Sequence, residues 1–208
     1  MEFGKLKEFI LVGLSYSKNP SDQVSHIRKF THTTDNNWKH LTGKSTEHAT
    51  FLYKVILPHL SNNYHLTDSG HTFIGHSLGG LLGTYMLLIM PTSFNHYVRS
   101  SPFIWYDGES TLSVKAIPSP IPHRVFIGVD TLKTHGKSRS LNNMVEGAQI
   151  INNKLISEKV VEADSKPLII PEINYVFHFQ RQLFIGSVAI LNESTNREIM
   201  RPIRRKLY

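Results

Sequence analysis

His71-Thr72-Phe73-Ile74-Gly75-His76-Ser77-Leu78-Gly79-Gly80-Leu81-Leu82-Gly83-Thr84-Tyr85-Met86-Leu87-Leu88-Ile89-Met90-Pro91 is the stretch whose reading decides the fold of this chain. Its first four residues have the β-branched and aromatic character of a buried strand. Residues 80–90 read as a buried helix that Pro91 closes. Between them lies Gly75-His76-Ser77-Leu78-Gly79, a G-x-S-x-G pattern. Strand, G-x-S-x-G and helix together predict a nucleophile elbow, a tight turn that holds Ser77 on strained backbone with its hydroxyl projecting. Glycines are expected at 75 and 79 because a Cβ at either place would collide with the neighbouring strand or helix. The amino end of the helix then brings backbone N–H groups and partial positive charge to the place where a reacting carbonyl oxygen would sit.

Working outward, 208 residues suit a single domain, 1–208, with a sizeable core. Hydrophobic content of 40% and charged content of 19% are those of a globular chain. With no cysteine, a disulfide framework, a zinc-thiolate centre and a thiol nucleophile are all excluded. No stretch reads as a signal peptide or a membrane span, so the default expectation is a cytoplasmic protein without a membrane partner. The formal charge is +7, densest in a basic tail over about 192–208 that holds Arg197, Arg201, Arg204, Arg205 and Lys206. No aromatic-interleaved basic groove accompanies it, so a solvated end is expected rather than a nucleic-acid surface. A mild preference for anionic substrates is the other use of that charge.

Along the chain, Phe9-Ile10-Leu11-Val12-Gly13-Leu14 reads as a strand buried on both faces. Residues 15–45 are polar and aperiodic, with turn signals at Pro20 and Asp35-Asn36-Asn37, and read as a long loop. A helix is expected from Ser45 to about Ser61, kinked or ended by Pro58. Further strands are expected near 97–99, at 124–129, at 168–170 and at 175–179, with helices near 140–156 and 183–191. Strands alternating with helices predict an α/β fold around a mostly parallel sheet.

A serine nucleophile needs a base and an orienting acid, and in such sheets they follow the serine in the order acid, then histidine. Asp130 comes just after the strand at 124–129 and is the expected acid; the competing reading is a capping or loop aspartate. Among twelve histidines, only His135 and His178 come after Asp130. His178 follows the last strand-like segment and is the expected base, against the alternative of a strand histidine held between Phe177 and Phe179. His76 is expected to hydrogen-bond locally rather than act as base. The aromatic loop Ser101-Pro102-Phe103-Ile104-Trp105-Tyr106 would line an ester's acyl group. His26, His32, His40 and His48 have no ligand spacing or carboxylate cluster, so neither a metal nor any other cofactor is expected.

Phe73 to Leu81, followed by Pro91, Phe94 and Ser101-Pro102-Phe103-Ile104-Trp105, resembles an esterase family of the α/β-hydrolase superfamily. That family includes ferric-enterobactin (siderophore) esterases and S-formylglutathione-hydrolase-like proteins. Val12-Gly13-Leu14, Arg28 to Thr33 and Phe51 to Tyr64 extend the likeness, which covers roughly residues 8–190. It implies a three-layer α/β-hydrolase sandwich and ester hydrolysis through an acyl-enzyme on Ser77. The Leu78 N–H is then the oxyanion donor, and His76, Phe103 and Trp105 are substrate contacts.

Three departures from the family pattern follow. The catalytic histidine of the family sits in an Asn-His pair, where this chain has Asn174-Tyr175, with His178 three residues on. Either His178 serves or the base is lost, since a tyrosine with a pKa near 10 is no base at neutral pH. The R-x-x-D-[YL]-T-P-T segment of the family has lost its aspartate and proline here. The resemblance also implies that the first strands are lacking, which removes one oxyanion donor and leaves a gap in the sheet for another chain, such as a second copy, to complete. The functional expectation is therefore a serine esterase of small-molecule esters, with a catalytically impaired or inactive remnant as the alternative.

Overall fold

A computed structural model describes residues 10–14, 22–66, 70–121, 123–131, 139–161 and 166–171. Four parallel strands form one sheet in the order β1 (Thr72–His76), β2 (His96–Ser100), β3 (Arg124–Thr131) and β4 (Leu168–Pro171). The register pairs Gly75 with Arg99, Ser100 with Gly128 and Asp130 with Ile170. The four strands are contiguous, so no gap interrupts them, and among the described residues β1 is an edge. Parallel neighbours put every carboxyl end on one side of the sheet and every amino end on the other.

The helices that cross between strands are α4 (Leu78–Ile89) and α5 (Arg139–Ser157). Leu81, Leu82, Met86, Leu87 and Leu88 are all 0–1% exposed, so α4 is buried around most of its circumference. Ile151, Leu155 and Ala148 hold α5 in the same core. Under α4 lies a charge that the sequence pattern of β2 hides: Arg99 is fully buried. Its Nη1 donates to Thr84 Oγ1 at 2.8 Å, while Nε and Nη2 find no partner among the described residues. Desolvation pushes its pKa down to about 9, still above neutrality.

Before the sheet come α1 (Asp22–Phe30), α2 (Ser45–Phe51) and α3 (Leu57–Asn63), the last two joined by a π-helical turn over Leu52–Ile56. The expected long loop at 15–45 thus contains a helix, α1. Among its described residues Ile27 is the one buried apolar side chain, too few to leave a periodic signal. Thr31, fully buried, ties α1 to the start of α2: its hydroxyl donates to Ile27 O and accepts from Gly43 N–H, and its carbonyl accepts from Ser45 N–H. Pro58 neither ends nor breaks the helix it interrupts. The π turn just before it takes up the register change with a bond from Leu57 N–H to Leu52 O.

The buried strand expected at 9–14 is not present where the chain is described. Residues 10–14 have no regular structure, and Ile10, Leu11, Val12 and Leu14 are 42–67% exposed. An apolar run states a demand for cover and a pairing partner; among the described residues neither stands beside it. No helix among the described residues is long and apolar enough to cross a membrane.

Two outcomes are expected. Thr84 Oγ1 also donates to Gly80 O, and Thr84→Val deprives the buried guanidinium of the Thr84 hydrogen bond. It should lower unfolding free energy by about 1–3 kcal/mol, read from the denaturant midpoint, and Arg99→Met in the same background should recover it. His48 stacks on Phe30 and Phe51, and burial, then Lys29, lowers its pKa from 6.5 to about 4. A depressed histidine stabilises the fold above pH 6.5 and loses that contribution as pH falls toward 4. Melting temperature should therefore drop less over that window in His48→Phe than in the parent. Burial displaces His26, His96 and His123 the same way, so part of the acid sensitivity remains.

Candidate active site

Ser77 sits between β1 and α4 with φ 53° and ψ −116°, a conformation that L-residues rarely adopt. The expected elbow is there, and neighbouring backbone over-determines it. Ser77 N–H donates to Ser100 O at 2.9 Å, and Ser77 O accepts from Leu81 N–H at 3.0 Å and from Phe103 N–H at 3.1 Å. Leu78 is the first residue of α4, so its N–H has no acceptor within the helix and points at the helix's positive end.

The glycines divide differently from the sequence expectation. A Cβ on Gly75 would lie 2.2 Å from the Gly79 carbonyl oxygen, so that close approach is absolute. A Cβ on Gly79 would meet only Phe30 Cε2 at 3.9 Å, an ordinary contact. The second constrained position is Gly80, whose Cβ would come within 2.9 Å of Pro102 Cα. The collision thus belongs to the loop after β2 rather than to the residue after Leu78.

That loop is held under strain of its own: Ser101, Asp107 and Glu109 all have positive φ. Ser101 N–H donates to Gly128 O at 2.7 Å, which pins the loop to β3 as Phe103 N–H pins it to Ser77. Phe103 and Trp105, half-buried, pack with ring centroids 3.7 Å apart. The Trp105 indole N–H is buried without a partner among the described residues. Trp38, which the sequence reading did not single out, meets Phe103 and Tyr106 edge-on. Tyr106 OH donates to Thr33 O at 2.7 Å, and His32 Nε2 lies 3.1 Å from Ser110 Oγ while its ring stacks on Tyr85. Burial, opposed by Asp107 and Ser110, lowers the His32 pKa. The signal for this wall was the Arg28–Thr33 segment; its contact with residues 103–110 spans more than seventy positions and no local pattern marks it.

His76 Nδ1 lies 3.1 Å from Ser100 Oγ, the local hydrogen bond the sequence suggests. Asp130 is the second-to-last residue of β3, at the same carboxyl edge of the sheet as Ser77, two strands away. His178 and Tyr175 lie outside the described residues, as do the expected helix at 183–191 and the basic tail. Among the described residues, no three His, Cys, Asp or Glu side chains are grouped to hold a metal ion. The arrangement offers a serine on strained backbone, a positive helix end and an aromatic wall, a set whose chemistry suits acyl transfer.

Comparison with known proteins places this geometry in context. The family model described as "Putative esterase" matches residues 2–160. The ferri-bacillibactin esterase BesA of Bacillus subtilis is 29% identical over 104 residues, which are 46% of this chain and 35% of that protein. A siderophore enterobactin esterase of Emericella nidulans is 33% identical over 73 residues, 34% of this chain and 24% of that protein. The crystal structure of the BES protein from Bacillus cereus superimposes with a TM-score of 0.66 at 23% identity, covering 82% of this chain and 64% of that one. The chain therefore spans about a third or less of the length of the curated relatives it matches.

The two elbow glycines should separate cleanly. Gly75→Ala is expected to cost about 3 kcal/mol or more, since carbonyl and strand must part. Gly79→Ala should stay within about 1 kcal/mol of the parent, because alanine suits a helix and space is open. Urea unfolding of both variants checks the contrast.

Proposed function

The chain belongs to this esterase family of the α/β-hydrolase type, and from that premise we propose that it hydrolyses carboxylic esters through an acyl-enzyme on Ser77. The observation that carries the reading is the Ser77 backbone at φ 53° and ψ −116°, followed at once by a helix amino end. In the proposed sequence Ser77 Oγ attacks the ester carbonyl while His178 takes its proton. The Leu78 N–H receives the developing oxyanion, and Asp130 orients the imidazole. His178 then gives the proton to the departing alcohol, and water releases the acyl group by the same steps in reverse order.

Phe103 and Trp105 form the apolar wall for the acyl part, and His76 borders the substrate beside the nucleophile. The names of the relatives point to siderophores as the ester class, and a formal charge of +7 draws an anionic one toward the site. One observation favours a second reading: Tyr175 stands where the family has its histidine, which would make this a chain that keeps the elbow without turnover.

A fluorophosphonate probe with p-nitrophenyl acetate as substrate decides between them. Ser77→Ala should abolish labelling and lower kcat/KM by at least about 10³-fold. His178→Ala should lower it by about 10²–10⁴-fold, with His76→Ala far milder. Failure of the parent chain to label at Ser77 would sink the catalytic reading, and full activity in His178→Ala would move the base elsewhere.

A further inference from the structure

Ser100 grips the elbow twice. It is the last residue of β2, is 1% exposed, and stands opposite His76 in the β1–β2 register. Its carbonyl accepts the Ser77 N–H at 2.9 Å, and its Oγ lies 3.1 Å from His76 Nδ1. The main chain and side chain of one residue therefore hold the two residues on either side of the His76–Ser77 peptide bond.

Ser100 has little freedom of its own. In register it also faces Gly128 of β3, whose carbonyl accepts the Ser101 N–H at 2.7 Å. Pro102, two residues on, lies so near Gly80 that a Cβ there would come within 2.9 Å of its Cα. Phe103 N–H then closes the loop onto Ser77 O at 3.1 Å. The loop is clamped between β3 and the first turn of α4, so it cannot shift to replace the Ser100 hydroxyl. The loss falls on His76, half-buried and next in the chain to Ser77. Backbone at φ 53° and ψ −116° persists only while its surroundings over-determine it.

We propose that Ser100 is a positioning residue for Ser77, acting through the His76 ring. The inference rests on the esterase reading, in which Ser77 Oγ attacks the ester carbonyl. A residue 1% exposed does not reach substrate, so its effect falls on the attack and not on binding. A reacting group misplaced by about 1 Å loses about 10²-fold in rate, and one lost hydrogen bond beside the nucleophile calls for a smaller effect.

Fluorophosphonate labelling of Ser77 and p-nitrophenyl acetate turnover by the full chain test it, with urea unfolding to verify that each variant is folded. Ser100→Ala should lower the labelling rate and kcat by about fivefold or more, with KM within about twofold of the parent. Ser100→Thr keeps the hydroxyl and should return both toward the parent, which a packing role alone does not produce. His76→Phe should be slowed to a similar degree, and Ser100→Ala should add nothing in that background. A parent that labels, with Ser100→Ala labelling just as fast, overturns this proposal alone. So do Ser100→Thr as slow as Ser100→Ala, and single-variant effects that multiply in the double variant. A parent that does not label overturns the esterase reading first and the positioning role with it.

Discussion

Gly75 and the carbonyl of Gly79 approach so closely that no side chain fits between them, and the rest of the molecule is arranged around that contact. It forces the chain to reverse from β1 into α4 within one residue, and the reversal puts Ser77 at positive φ. The strain is not held by the turn alone. α4 is buried on nearly every side, so it cannot slide to relieve the bend, and Phe103 N–H locks the turn's carbonyl from the loop after β2. The strained backbone of Ser77 is thus the product of a packing constraint.

The same packing explains why a guanidinium lies beneath the elbow. Arg99 pairs with Gly75 in the β1–β2 register, and the side chain turns under α4 to reach Thr84. Thr84, in the second turn of α4, supplies the acceptor. A buried cation with a single neutral partner is a liability for stability. Its sign nevertheless matches that of the α4 amino end, so both fields under this helix favour negative charge.

How far the sequence could be read depends on how local each feature is. The elbow was legible because three local signals coincide in twenty residues: a β-branched run, a glycine-flanked serine and an apolar helix stopped by Pro91. The place of Asp130 at the carboxyl edge was legible from its strand position, which parallel topology fixes. The helix at Asp22–Phe30 was not, because it rests on Ile27 and on the Thr31 hydrogen bonds rather than on a stripe. Leu11 and Val12 misled for the opposite reason: composition reports that a segment would gain from burial, never that a neighbour exists to bury it. The glycine assignments failed at Gly79 because the clash is made by Pro102, more than twenty residues away.

Parallel pairing also accounts for the two unlike ends of the sheet. Every strand must enter at one edge and leave at the other, so residues of like position along different strands are gathered whatever their separation in sequence. At the leaving edge this collects Ser77, Ser101 and Asp130, with backbone strain and a helix amino end. At the entering edge it collects His71, His96 and His123, and burial lowers the pKa values of the latter two. One topology therefore sets a strained serine and a helix amino end at one edge and a row of half-buried histidines at the other.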